Sequence, residues 1–169
     1  MPHSYYVGID PGFEGALALT GPEGFLGFLD TPAISAAGKS KRHHDEIGMV
    51  AALRSLVEPR PPGSVLVVIE KVHSMPQQSS QSGFTFGTGF GIWRGIVATM
   101  ALPSVLVDPR TWKKVCLQDV PKDDLAAQAA VAGRWYPVAA PGLKTPRGKV
   151  LDGRTDALLL AHYGRVSGL

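Results

Sequence analysis

Four acidic side chains occupy positions from which they could act together on one ligand. Asp10 and Glu70 each follow a short apolar run of strand length. Asp152 and Asp156 are four residues apart, which places both on one face of a helix. If the two apolar runs are neighbouring strands, their acidic ends meet at one sheet edge, where ligands of α/β proteins usually bind.

Such a cluster of carboxylates is a candidate site for a hard divalent cation. Like charges raise one another's pKa values unless a positive charge intervenes, and Mg²⁺ or Mn²⁺ prefers oxygen ligands. One or two ions held by all four acids would activate water and stabilise the leaving oxygen in phosphodiester hydrolysis. Two alternatives stay open, because Asp10 before Pro11 and Gly12 could be a turn residue and Asp152 could be a helix N-cap.

The strands that must position these acids follow from the hydrophobic pattern. Short runs separated by turns predict an antiparallel meander over Tyr5–Asp10, Gly15–Thr20 and Phe25–Leu29. The continuously apolar, β-branched run Val65–Ile69 predicts a central strand that is buried on both faces. Ser104–Val107 is a further strand candidate, so the pattern predicts a mixed sheet of five strands.

The helices follow from apolar residues at helical spacing. We expect them over Asp45–Val57, over Ile92–Ala101, around Trp112, from Pro121 to Trp135 and over Val150–Val166. Loops are expected over Thr31–Lys41 and Pro137–Lys149. This order predicts an α/β protein in which the mixed five-stranded sheet is flanked by α-helices, within a single domain over residues 1–169.

Composition narrows the class of protein further. The 169 residues are 44% hydrophobic and 18% charged, which is typical of a globular domain. The single cysteine, Cys116, excludes a disulfide framework and suits a reducing compartment. The formal net charge of +3 is only a weak indication of a polyanionic partner. We expect a cytoplasmic location without membrane contact, because the N-terminus lacks a secretory pattern and the apolar runs are too short to cross a bilayer.

Three segments together resemble the RuvC-like Holliday-junction resolvases of the RNase H-like superfamily. They are GIDPGFEGALAL around Asp10, VLVVIEKVHSMPQ around Glu70 and DGRTDALLLAHYGR around Asp152 and Asp156. The four-residue spacing of the last two acids is more similar to the chloroplast resolvases and their bacterial and phage relatives. The resemblance implies an RNase H-like fold, Mg²⁺ replaceable by Mn²⁺ at the four acids, a homodimer, and branched DNA as partner in a bacterial nucleoid or phage-infected cell.

Further side chains are candidates for catalysis and DNA contact. Lys122 resembles the lysine that family members place near the scissile phosphate, with Lys113 and Lys114 as rivals. The DNA-contacting candidates are His73, Met75, Gln78, Ser80, Phe84, Phe86, Lys113, Lys149 and Arg154. In resolvases of this type an aromatic or apolar side chain helps to hold the opened junction centre, although Phe84 and Phe86 could equally be core residues.

The predicted function is that of a Mg²⁺-dependent crossover-junction endodeoxyribonuclease, which nicks four-way junctions symmetrically. Two alternatives keep the same fold: a nuclease acting on RNA–DNA hybrids or flaps, and a catalytically weak junction-binding module. An ATPase with GIDPG as its phosphate loop would need a second domain, and the sequence has no GxxxxGK[ST] segment. We therefore expect no nucleotide cofactor.

Overall fold

The computed structural model describes residues 3–35, 42–73, 79–121 and 123–169, with Ser80 described by its backbone alone. In chain order the strands are β1 (Tyr5–Ile9), β2 (Ala16–Gly21), β3 (Gly24–Asp30), β4 (Ala33–Ser35), β5 (Arg42–His44), β6 (Val65–Glu70) and β7 (Ser104–Val107). The α-helices are α1 (Glu46–Val57), α2 (Ser80–Thr99), α3 (Pro109–Cys116), α4 (Leu125–Trp135) and α5 (Asp152–Val166). Over these residues no helix is long and apolar enough to span a membrane.

The main sheet has the order β3-β2-β1-β6-β7 among the described residues. β1 runs parallel to β6, and β6 runs parallel to β7, whereas β2 pairs antiparallel with both β1 and β3. This arrangement confirms the predicted mixed five-stranded α/β sheet. Ile9 lies opposite Ile69 in the β1–β6 register, so the next residues, Asp10 and Glu70, leave the sheet side by side at its carboxyl edge.

Two hydrophobic cores cover the two faces of this sheet. On one face, α3, α4 and α5 contribute buried residues that include Trp112 and Leu158. On the other face, α1 and α2 contribute Met49, Leu53 and Trp93. The whole of Val65–Ile69 is buried, as its unbroken apolar run predicted for a central strand covered on both faces.

Glycines let α5 lie directly against the sheet. A Cβ at Gly8 of β1 would overlap the carbonyl oxygen of Ala157 in α5, and a Cβ at Gly153 would overlap the carbonyl oxygen of Glu14. Gly153 also forms a parallel bridge with Gly15, in the turn that follows β1. These backbone contacts fix the N-terminal turn of α5 beside the carboxyl end of β1.

Several predicted boundaries differ from the structure. α2 begins at Ser80, well before the predicted start at Ile92, because Ser79 caps it by accepting a hydrogen bond from Ser82 N. The segment predicted as the loop Thr31–Lys41 contains β4, which pairs with β5. The predicted loop Pro137–Lys149 begins with a 3₁₀ helix over Pro137–Leu143.

The helix predicted from Pro121 was also placed too early. α4 begins at Leu125, because the side chain of Asp124 accepts a hydrogen bond from Ala127 N and serves as the N-cap. Similarly, α5 begins at Asp152, two residues after the predicted start at Val150.

Candidate active site

Asp10 lies immediately after β1 and is largely buried. Its Oδ1 accepts a hydrogen bond from Gly12 N at 3.2 Å, so the predicted turn role is real and coexists with its place among the acids. Burial raises the pKa of Asp10 from 3.8 to about 7, and the charges of Asp156 and Glu70 add to this rise. Burial is the largest cause of this shift, and the neighbouring carboxylates act in the same direction.

Glu70 ends β6 and is held by a tryptophan. Nε1 of Trp112 donates a hydrogen bond to Oε1 of Glu70 at 3.0 Å, and Trp112 is itself fully buried in α3. Burial raises the pKa of Glu70, whereas the Trp112 hydrogen bond and the positive charge of Lys113 act in the opposite direction. The carboxylate is therefore fixed in orientation by a rigid, buried donor.

Asp156 projects from α5 and has a lysine beside it. Nζ of Lys113 lies 3.6 Å from Oδ2 of Asp156 and 4.9 Å from the centre of the Trp112 ring. Burial raises the pKa of Asp156 to about 6, Lys113 lowers it, and Glu70 raises it further. The structure thus places Lys113 next to the acid cluster, whereas Lys122 lies outside the described residues.

Asp152 is the exposed member of the four acids. It is the first residue of α5, whose N-cap is Leu151, so the predicted alternative of an N-cap role for Asp152 is wrong. Its charge raises the pKa of both Asp10 and Asp156. With Asp10 it lines a cleft of about 440 Å³ that the start of α2 closes on the opposite side.

The donor set of this cluster is what a hard divalent cation requires, namely anionic oxygens. Nevertheless, within the described parts of the chain no three His, Cys, Asp or Glu side chains are positioned to hold one ion together. Each of three acids instead has a protein partner: Gly12 N binds Asp10, Trp112 binds Glu70 and Lys113 approaches Asp156. The chemistry and charge of the cluster fit a metal ion, and side-chain rotation would be needed to complete a coordination shell.

The far wall of the cleft belongs to α2. Gln81, Ser82 and Thr85 line it and offer neutral donors and acceptors to a bound strand. Phe86 also lines this wall, and its ring would lie 3.2 Å from a Cβ at Gly12. Phe86 is half-buried in the cleft wall, whereas Phe84 is 78% exposed; both remain candidates for contact with a ligand.

The remaining candidates for DNA contact differ in how available they are. Lys149 is exposed. His73 is paired with Asp108, with 2.9 Å between Nε2 and Oδ2. Arg154 binds both carboxylate oxygens of Asp30, at 2.6 and 2.7 Å, so a phosphate would have to compete with this ion pair. Met75, Gln78 and the side chain of Ser80 lie outside the described residues.

Two features of the site were missed in the sequence. Trp112 was noted only as the centre of a short helix, although it holds Glu70. His44 stacks on Phe13 with ring centres 4.0 Å apart and planes inclined by 4°, and Phe13 lines the cleft. The Trp112–Glu70 contact could have been suspected because Trp112 is next in sequence to the candidate Lys113. The stacking of His44 on Phe13 depends on long-range packing, which the sequence does not indicate.

No protein family and no curated protein matches the sequence. Among solved structures, Thermus thermophilus RuvC in complex with a Holliday-junction substrate superposes with a TM-score of 0.57 at 15% identity, covering 97% of this chain and 96% of that chain. A second structure of Thermus thermophilus RuvC gives a TM-score of 0.57 at 18% identity, covering 97% of both chains.

The chain has the fold of RuvC. This confirms the RNase H-like architecture that the three acidic motifs implied. The match with RuvC extends over nearly the whole of both chains, so the elements that carry Asp10, Glu70 and α5 all lie within the shared fold.

Proposed function

We propose that this protein is a divalent-metal-dependent endonuclease that cuts four-way DNA junctions. The observation that carries the proposal is the position of Asp10, Glu70 and Asp156 at the carboxyl edge of a RuvC-type sheet, close enough that the charge of Glu70 raises the pKa of both Asp10 and Asp156. The solved RuvC complex with a Holliday-junction substrate supports the choice of substrate. Such an enzyme would act in a bacterial nucleoid or a phage-infected cell.

The acids would share the work of binding metal. Asp10, Glu70, Asp152 and Asp156 would hold Mg²⁺, or Mn²⁺ in its place, and the bound ion would supply Lewis-acid activation of water and charge neutralisation at the phosphate. Trp112 orients Glu70 for this role. Lys113, close to Asp156, would attract the scissile phosphate and stabilise its developing charge. Lys122 remains a second candidate for that task.

Side chains around the cleft would position the DNA. The polar wall of Gln81, Ser82 and Thr85 would bind the strand that enters the cleft. Phe84, which is exposed on the same helix, is the better candidate to stack in the opened junction centre, where a base–aromatic contact is worth about 1–3 kcal/mol. Lys149 and His73 would contribute phosphate contacts at the edges.

A homodimer would supply the symmetry that the substrate requires. Resolution of a junction needs two matched nicks, and two subunits related by a two-fold axis present two equivalent sites. We expect light scattering after size-exclusion chromatography to give twice the mass of one chain. A monomer that still makes paired nicks would contradict this part of the proposal.

The decisive experiment compares substrates and metals. The purified protein is incubated with a four-way junction, a matched duplex, a flap and an RNA–DNA hybrid, each with Mg²⁺ or EDTA. We expect the wild-type protein to make paired nicks in the junction with Mg²⁺ but not with EDTA. The variants Asp10→Asn and Glu70→Gln should make none. The exposed Glu23→Gln is the matched control and should cut normally.

Each contrary result has a distinct meaning. Preferential cutting of the hybrid or flap would reject the junction in favour of another substrate of the same site. Junction binding without cutting in any metal would identify a binding module. Full activity of Asp10→Asn would show that the acid cluster is not the catalytic centre.

A further inference from the structure

A second cavity, of about 710 Å³, lies between α3 and the start of α4. We call it the α3–α4 pocket. Its walls include Arg110, Lys113, Lys114, Leu117, Val120 and Gln128. The volume is within the range of pockets that enclose small organic ligands, so the cavity has room for a nucleotide.

The wall of this pocket combines two kinds of chemistry. Leu117 is buried and Val120 is half-buried, and they provide an apolar surface. The buried Gln128 also lines the wall, and its Nε2 donates a hydrogen bond to Pro121 O at 3.5 Å. Arg110 and Lys114 are exposed and positively charged at the rim. A flat ring with polar edges attached to a phosphate has the matching chemistry, because the ring can bury its faces while the phosphate meets the cations.

A turn with an unusual backbone shapes one side of the pocket. Val120 N donates to Leu117 O at 3.1 Å across the residues between α3 and α4. Within this turn Asp119 has a φ of +64°, a left-handed conformation that is uncommon for a residue other than glycine. Aspartate is among the residues that adopt this conformation more often, so the turn forms one wall of the pocket without requiring glycine.

Lys113 connects the pocket to the acid cluster. Its side chain lines the α3–α4 pocket, and its Nζ lies 3.6 Å from Asp156 Oδ2. A DNA strand whose phosphate lies at the acids would therefore pass Lys113 and bring an adjoining nucleotide to the mouth of the pocket.

We propose that the α3–α4 pocket binds one unpaired nucleobase of the strand being cut, next to the cleaved phosphate. The proposal rests on the proposed nuclease function and extends it to the choice of cutting site. Extruding a base costs least where pairing is already disrupted, as at a junction centre. Occupancy of the pocket would hold the neighbouring phosphate at the acids and make cutting sensitive to the base at that position.

Fluorescence of 2-aminopurine tests whether a base enters the pocket. The analogue replaces each base near the cut in turn, and the protein is added in EDTA so that the DNA stays intact. We expect emission to rise several-fold at one position, because the base leaves the DNA stack. Val120→Phe fills the pocket and should abolish this rise and weaken binding about tenfold. The matched control Val138→Phe enlarges a residue that is 81% exposed elsewhere and should change neither.

Junctions with an abasic nucleotide at the responsive position test the same contact from the DNA side. We expect the wild-type protein to lose about tenfold in affinity on the abasic junction, and Val120→Phe to lose nothing more. If Val120→Phe lowers the melting temperature, the exposed Gln118→Trp at the pocket replaces it. Unchanged emission at every position, with normal cutting in Mg²⁺, would overturn the pocket and leave the nuclease proposal standing. Failure to bind or cut any junction would overturn both.

Discussion

At Asp10, the buried carboxylate that the proposed metal site requires lowers the stability of the fold. The pKa of this carboxyl is raised from 3.8 to about 7 by burial and by neighbouring acids. The folded protein therefore binds more protons than the unfolded chain between about pH 4 and pH 7. Linkage then requires stability to fall as the pH rises through this window.

We predict that Asp10→Asn stabilises the metal-free protein at pH 8. The amide removes a buried charge and can still accept the hydrogen bond from Gly12 N. The free energy of unfolding in urea with EDTA should rise by roughly 1–3 kcal/mol, and by much less at pH 4. The exposed Asp123→Asn should have no such effect. Destabilisation by Asp10→Asn at pH 8 would contradict the assigned cause of the pKa shift.

Trp112 gives a second prediction, which concerns metal affinity. Trp112→Phe keeps a ring in the core but removes the donor to Glu70 Oε1. Partners that orient metal ligands typically contribute 10- to 100-fold in affinity or activity. We expect the Mg²⁺ concentration for half-maximal cutting to rise about tenfold, while junction affinity in EDTA stays the same. Trp135→Phe, on the partly exposed Trp135, is the control; equal effects of the two variants would rule out a specific role for Trp112.

His162 should make stability depend on pH in the opposite sense. Burial lowers its pKa from 6.5 to about 4, and Nδ1 is 2.9 Å from Tyr136 Oη. The unfolded chain binds the extra proton between these pH values, so this residue makes stability increase as the pH rises from about 4 to 6.5. We predict that His162→Asn removes this contribution when unfolding free energies are measured across the window. A pH profile that parallels the wild type would contradict it.

At the scale of elements, α2 is a helix with several glycines in its interior. Gly87, Gly91 and Gly95 face open space, whereas a Cβ at Gly89 would lie 2.6 Å from Pro11 O and 2.8 Å from His44 Nε2. Glycine in a helix interior costs about 1 kcal/mol relative to alanine. The first three therefore weaken the helix, while Gly89 is required by the close approach of α2 to the loop after Asp10.

This contrast predicts opposite effects of one substitution at two positions. Gly91→Ala should increase the free energy of unfolding by about 0.5–1 kcal/mol, because the methyl group meets no neighbour. Gly89→Ala should decrease it and also impair cutting, because Pro11 and His44 must shift. Urea denaturation and junction cleavage measure the two effects. Stabilisation by both substitutions would show that α2 does not press on this loop.

How far the sequence predicts the structure also depends on the element. Asp10 and Glu70 could be placed at one sheet edge because unbroken apolar runs identify strands and acids mark their ends. The first residue of α2 could not be predicted. Its glycines obscure the helical spacing of apolar residues in the sequence, and the helix is stabilised by packing against the sheet. The pairs Trp112–Glu70 and Arg154–Asp30 join residues distant in sequence, and their contact is set by tertiary packing that local patterns do not encode.

At the scale of the whole molecule, the acid cluster would reduce the attraction for the proposed DNA substrate. The net charge of +3 includes the four acids, of which Asp10 and Asp152 line the cleft proposed for the substrate. We predict that Asp10→Asn combined with Glu70→Gln binds a junction several-fold more tightly than the wild type in EDTA at pH 8, because phosphate repulsion is reduced. The difference should shrink with added salt. Weaker binding by this double variant would show that the acids contribute to DNA affinity.

The packing of α5 on β1 means that the first strand described in the chain is covered by the last helix described. Of the strands described, β1 is synthesised first, yet its Gly8 face is covered by α5, which follows every other element described in the chain. A nascent or proteolysed chain that ends before Asp152 lacks both this cover and two of the four acids. Under the proposed function, such a fragment would therefore leave one face of β1 uncovered and would not cut DNA.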